Sequence, residues 1–214
     1  MEKLIYNELI NPILCNMPKS LSEQQILRLK ELYNYKGFKF FDGNKPYNLN
    51  IIGWRLSKEI DLFNDIFTII YRDKALNWKC LKVTGTTKPG RYYFLKPMNK
   101  AGTGIVVPGQ YRGVWEKGLH KGLDALIQKE PIIVYRDNNK DLVIDMDNTQ
   151  TGMFNIDFHR MYKATISTVV GNRSAGCQGP NTASGFWQVM DLVDESLDLY
   201  PNSFTYTLFD AISQ

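Results

Sequence analysis

Short runs of apolar and alternating residues, separated by polar turns, recur along most of this chain. Leu49–Trp54, Ile66–Tyr71 and Trp78–Val83 each predict a strand, and Gly102–Val107, Pro131–Tyr135, Leu142–Met146 and Met153–His159 continue the series. Thr165–Val170 is rich in β-branched residues and predicts another strand, and Ser203–Phe209 alternates cleanly enough to be the last. Thr84-Gly85-Thr86-Thr87-Lys88-Pro89-Gly90 predicts a tight turn leading into a strand through Tyr92-Tyr93-Phe94. Phe38–Asn50, with Asp42-Gly43-Asn44 and Pro46, is turn-rich and suggests a hairpin.

Two segments carry the helical period instead. In Ser20–Tyr33 apolar positions recur at helical spacing, Ser20 with Glu23 matches a capping box, and Gly37 is placed to close the helix. Phe186–Leu197 is amphipathic, with Ser184 as the expected N-cap and Pro201-Asn202 as the stop. Tyr111–Leu126 is punctuated by glycines and reads as an insertion ending in a short helix, a candidate wall of a cleft. The expected architecture is mainly β, with an N-terminal helical appendage over residues 1–48 and one domain over 49–214.

Composition narrows this only a little. A chain of 214 residues, 43% hydrophobic and 22% charged, buries a full core, which excludes a disordered protein. The net charge of +4 comes from lysines and arginines dispersed along the chain, so no nucleic-acid partner is expected. Cys15, Cys80 and Cys177 are an odd number without a close pair, which argues against a disulfide framework; Cys15 and Cys80 lie in apolar segments and are expected in the core. No signal peptide is legible at the N-terminus, and no apolar run approaches the ~18 residues needed to span a bilayer. His120, His159, Cys80 and Cys177 include no close ligand pair, so no metal site is expected.

The chemistry concentrates in the stretch from Asn155 to Gln178. His159 and Cys177 stand 18 positions apart (177 − 159). A thiol becomes a useful nucleophile when a base removes its proton, and glycine backbone lets a substrate carbonyl approach main-chain N–H groups. Cys177, between Gly176 and Gln178-Gly179, fits that description, and a turn at Gly171-Asn172 would return the chain to His159. Taken alone, a cysteine after glycine is more often a small buried side chain. No histidine follows Cys177, which disfavours papain-like arrangements. Tyr111 and Trp115 are placed to stack on a ligand or to pack beneath their loop, and Arg173 and Gln178 are substrate contacts or ordinary turn residues.

These residues, taken together, resemble a known family. Thr84-Gly85-Thr86, Pro89-Gly90 and a strand, then His159, then Gly171-x-x-Ser174-x-Gly176-Cys177, a helix and a terminal strand are similar to the catalytic domain of the L,D-transpeptidases (YkuD-like). The resemblance covers about residues 78–210, with the insertion around His120 outside it. It implies a β-sandwich or mixed sheet with a helix after the cysteine, and a cofactor-free cysteine enzyme acting on peptidoglycan peptide stems through a thioester. In that scheme Cys177 is the nucleophile and His159 the base, oriented by the backbone carbonyl of Arg160. Ser174 shapes the turn, and main-chain N–H groups around Gly176 and Cys177 hold the oxyanion.

The chain departs from the family pattern at Ala175, where a histidine is usual, and at Gly179, where arginine or asparagine is usual. Both positions border the acyl-binding region, so substrate and acceptor specificity stay open. His120 would supply the missing imidazole if its loop folds over the cleft, and is otherwise a surface or structural histidine. The resemblance places the action at the bacterial cell wall, and without a legible leader or wall-binding module a phage lytic or virion-associated enzyme is the expectation. A binding or structural component that retains the fold is the alternative.

Overall fold

The helix expected from Ser20 is capped by Ser22 instead. In the computed structural model, which describes Leu4, Tyr6, Asn7 and residues 19–162 and 166–211, Gln25 N donates to Ser22 Oγ (3.2 Å) and Ser22 N donates to Gln25 Oε1 (3.0 Å), a reciprocal capping box. Ser20 is still extended there, because β1 (Lys19–Ser20) pairs with Cys80 and Lys79. The helix, α1 (Glu23–Tyr35), ends at Lys36 with Gly37 in the left-handed region (φ 70°), as expected. Its buried stripe of Ile26, Leu29, Leu32 and Tyr33 packs with Ile52, Trp54, Ile70, Trp78 and Phe209. This helix therefore covers one face of the main sheet.

That sheet is mixed and mainly antiparallel. It runs β1, β4 (Trp78–Thr86), β3 (Asp65–Arg72), β2 (Asn50–Arg55), β12 (Phe204–Asp210), β6 (Gly109–His120), β7 (Leu123–Gln128) and β10 (Phe158–His159), with β11 (Gly179–Pro180) beside β4. Only β2 and β12 pair in parallel among these strands. Its other face buries Phe67, Leu81, Val83, Trp115, Leu126, Phe158 and Tyr206 together with Phe186, Val189 and Val193 of α3 (Ala183–Leu197). Because both faces are covered, β2 and β3 read as nearly unbroken apolar runs instead of clean alternation. A second, three-stranded antiparallel sheet joins β5 (Thr103–Val106), β8 (Ile132–Asp137) and β9 (Thr149–Gly152).

Several expectations are corrected. The segment around Tyr111–Leu126 is a hairpin of β6 and β7, turning at Lys121-Gly122, both with positive φ (51° and 79°) as a tight hairpin turn requires. Glycines obscured it: Gly118 leaves room for the Ile127 side chain, and Gly113 (φ 61°) lies in the stretch where pairing with β12 shifts register. Arg91–Leu95 is a short helix, α2, not a strand. Phe38–Asn50 forms no hairpin; the Asn50 side chain bonds Phe41 N and O at 2.8 and 3.0 Å and takes the place of ladder pairing. Leu142–Met146 forms no strand, and of Met153–His159 only Phe158–His159 does. Residues 166–170 make a single bridge, Val169 to Leu62, and Ile166 is 75% exposed, so its β-branched character has no partner to pack on; Thr165 lies outside the described residues. Thr182, not Ser184, caps α3, accepting from Gly185 N at 3.1 Å. Cys80 is in the core, where burial pushes its thiol up to about 12; Cys15 lies outside the described residues. Among the described residues no helix is long and apolar enough to cross a membrane.

Candidate active site

His159 and Cys177 lie on two neighbouring backbone segments at the seam between β10 and β11. Gln178 N donates to Asp157 O (2.8 Å) and His159 N donates to Gln178 O (3.1 Å), a parallel bridge that sets Phe158 opposite Gln178. The chain then continues into β11, which pairs with Thr86 and Gly85 of β4. Side chains alternate along extended backbone. Phe158 and Gln178 are fully buried on the inner side, so Asp157, His159 and Cys177 share the opposite face. Gly179 stands across from His159, and a Cβ there would run into His159 O, which explains the absence of a longer residue at this position.

The histidine is held from two sides. His159 Nδ1 lies 3.1 Å from Arg160 O, an acceptor that fixes the Nδ1–H tautomer and leaves Nε2 as the basic atom. His120, at the end of β6, stacks on it with ring centroids 4.2 Å apart and planes 3° from parallel. His120 Nδ1 in turn contacts Asp157 Oδ2 at 2.7 Å, and Asp157 Oδ1 accepts from Gln128 N at 2.8 Å. Burial and the adjacent His120 push His159 down to about 4, against the smaller opposing pull of Arg160 O and Asp157. The imidazole is neutral at physiological pH. A proton acceptor must be unprotonated to work, so if this imidazole is the base, acylation is expected to rise with pH through about 4 and to be level by about pH 6. A rate still climbing between about pH 6 and 7 would show that another group is the base.

The cysteine loop is braced by its neighbours. Ser174 Oγ donates to Cys177 O (2.8 Å) and accepts from Gly176 N (3.0 Å), while Gly90 N donates to Ser174 O (2.9 Å). Gly176 adopts φ 143°, and a Cβ there would stand 2.8 Å from Gly104 O. The expected oxyanion donors are revised accordingly: Gly176 N–H is occupied by Ser174, and Cys177 N–H has no main-chain acceptor among the described residues. The thiol packs with Phe63, Met161 and Val170 and donates to Asn155 O at 3.3 Å. No hydrogen bond joins it to His159 among the described residues. Burial pushes the thiol up to about 11, so it rests protonated. The turn at 86–88 that supports this loop is anchored by buried charge: Lys88 Nζ contacts Asp65 Oδ1 (3.0 Å), Asn64 Oδ1 (2.9 Å) and Ser57 O (2.7 Å), and Arg55 reaches Thr87 Oγ1 and O (3.1 and 3.0 Å).

Two clefts adjoin this face. One, of about 270 Å³, is lined by His120, Lys121, His159, Arg160, Tyr162 and Arg173 among others. The second, of about 250 Å³, is lined by Gly104, Arg136, Phe154, Asn155, Ile156 and Ala175 among others. A roomier cavity of about 520 Å³, beside Arg112, Glu130 and Tyr200, is lined by neither His159 nor Cys177 nor any residue of the cysteine loop. His120 and Arg173 thus border the site, with the Arg173 guanidinium 4.9 Å from the Tyr162 ring centre. Three other expected substrate contacts are corrected. Trp115 is fully buried, stacked on Tyr206 and donating to Ile156 O (2.9 Å). Tyr111 is buried with its hydroxyl on Val107 O (2.6 Å). Gln178 is fully buried, its amide spent on Gly176 O and on the Tyr206 hydroxyl (3.0 and 2.9 Å).

Sequence reasoning missed Asp157 and Asn155. Asp157 was legible as a carboxylate two residues before His159, on the same face of an extended segment. Asn155 acts through its carbonyl, at a left-handed φ of 55°, which no side-chain pattern announces. Among the described residues no group of three or more His, Cys, Asp or Glu side chains comes together as a metal-ligand set. Comparison of the chain with models of known families, with curated proteins and with solved structures yields no match.

Proposed function

We propose that this chain is a cysteine-dependent acyltransferase or peptidase acting on peptide amides, with peptidoglycan stems as the substrate class that the family resemblance implies. One observation carries the proposal: His159, with Nδ1 held by Arg160 O and Nε2 left basic, shares one face of a two-strand seam with Cys177. Both groups rest neutral. The thiol therefore gives up its proton as it attacks, rotating from Asn155 O toward His159 Nε2. Sγ forms a bond to the amide carbon while the oxyanion takes the Cys177 N–H. The C–N bond then breaks, and the leaving amine takes the proton from the imidazolium. Water or a second amine attacks the thioester and passes its proton to Nε2; the C–S bond breaks, and the released sulfur takes that proton back, restoring the thiol.

The test is intact mass measurement of the protein and its Cys177→Ala variant after incubation with purified peptidoglycan fragments. An acyl adduct in the native protein alone is expected, with cross-linked stems marking transfer and shortened stems marking hydrolysis. Unchanged fragments and no adduct on folded protein would favour the second reading, a non-catalytic binding or structural component. That reading has an observation of its own: the thiol is bonded to main chain and packed on an apolar cluster.

A further inference from the structure

Arg136, in β8, has one guanidinium edge without a partner. Nε donates to Gln150 Oε1 (2.8 Å) and Nη1 to Gly102 O (3.1 Å), yet Nη2 is buried and has no acceptor. The residue is only 7% exposed. Among the described residues no carboxylate forms an ion pair with it, and the Phe154 ring centre stands 4.5 Å from the guanidinium carbon. A buried cation with an unused donor is costly, and a protein normally supplies an anion or an acceptor for it.

Its position supplies the meaning. Arg136 lines the cleft that also contains Asn155, whose carbonyl receives the Cys177 thiol, and Ala175, two residues before Cys177. Gly104, in the same wall, presents the carbonyl that abuts Gly176. Among the described residues no acidic side chain lines this cleft. Its rim is adaptable, since Met98 is 81% and Met153 53% exposed, and thioether side chains re-seat at little cost.

We infer that Arg136 is a specificity residue that receives a carboxylate of the acyl-donor peptide in the cleft beside Cys177. The inference rests on the acyl-transfer reading for its substrate, and adds which group of that substrate is read and by what. A guanidinium with a free N–H edge suits a planar carboxylate, and an amide in the same place carries no charge to answer the cation.

Binding and chemistry are measured separately. The Cys177→Ala protein is titrated by calorimetry with one stem peptide in two forms, free C-terminal carboxylate and C-terminal amide. Binding of the free acid at least ~10-fold tighter than the amide is expected, since one charged hydrogen bond contributes roughly that much. In Cys177→Ala/Arg136→Gln the difference should vanish while the amide binds as before. Equal affinities, failure of both forms to bind, or a preference that survives Arg136→Gln would overturn the inference. Should Arg136→Gln fold poorly, for it also secures Gln150 and Gly102, the acid-to-amide ratio on the parent still decides. Thioester formation is followed in parallel on the native protein, so its absence alongside carboxylate-dependent binding would count against the acyl-transfer reading and not against the Arg136 site.

Discussion

Replacing His159 with alanine is expected to slow thioester formation at Cys177 by about 10³-fold at pH 7, within the usual range for loss of a general base. The size of the effect follows from the resting state. A thiol pushed up to about 11 holds almost no thiolate at neutral pH, so attack depends on proton removal in the same step. Single-turnover acylation followed by intact mass measures it. A loss under ~10-fold would mean that the imidazole is not the base. His120→Ala separates the two rings. Removing the stacked imidazole lifts part of both the desolvation and the charge repulsion on His159, so the acid limb of the rate profile should move up from about 4 toward the ordinary histidine range near 6.5. If the limb stays in place, His120 is packing only.

Lys88→Met should destabilise the fold by roughly 3–5 kcal/mol, the cost of leaving one member of a buried ion pair alone. Lys88 and Asp65 are both fully buried, and Asp65 also accepts from Thr87 N (2.9 Å) and Leu56 N (3.0 Å), so the stranded carboxylate would lie at the root of the turn that supports the cysteine loop. Urea unfolding followed by circular dichroism reads this as a lower midpoint at unchanged slope. The double variant Lys88→Met/Asp65→Asn removes both charges while keeping the carbonyl acceptor, and should recover much of the loss. If the single variant falls by less than ~1 kcal/mol, the pair is not holding the turn.

How much of this was legible in advance depended on whether a signal was local. The apolar runs of β2, β3, β4 and β12 and the helical period of α1 and α3 are patterns of nearest and near neighbours, and they were readable at once. Helix caps slipped by two residues because Ser20 and Ser184 offer the same chemistry as Ser22 and Thr182. Only pairing of β1 with β4, and the Thr182 to Gly185 bond, choose between them. The β6–β7 hairpin escapes a local reading for a related reason. Its glycines look like loop residues locally, and their purpose, room for Ile127 and a change of register against β12, lies on other strands.

By itself the sequence determined a mainly β protein with a large core, an α3 helix behind Cys177, and a single histidine–cysteine pairing worth testing, because hydrophobic period and residue chemistry are properties of the chain alone. Tertiary structure decided the rest. The bridge through Gln178 put His159 and Cys177 on one face, the pairing of β7 with both β6 and β10 brought His120 onto His159 from 39 positions away (159 − 120), and core packing took Trp115, Tyr111 and Gln178 into the interior. Packing also desolvates the imidazole and the thiol, so their protonation is a consequence of burial that no spacing of residues encodes.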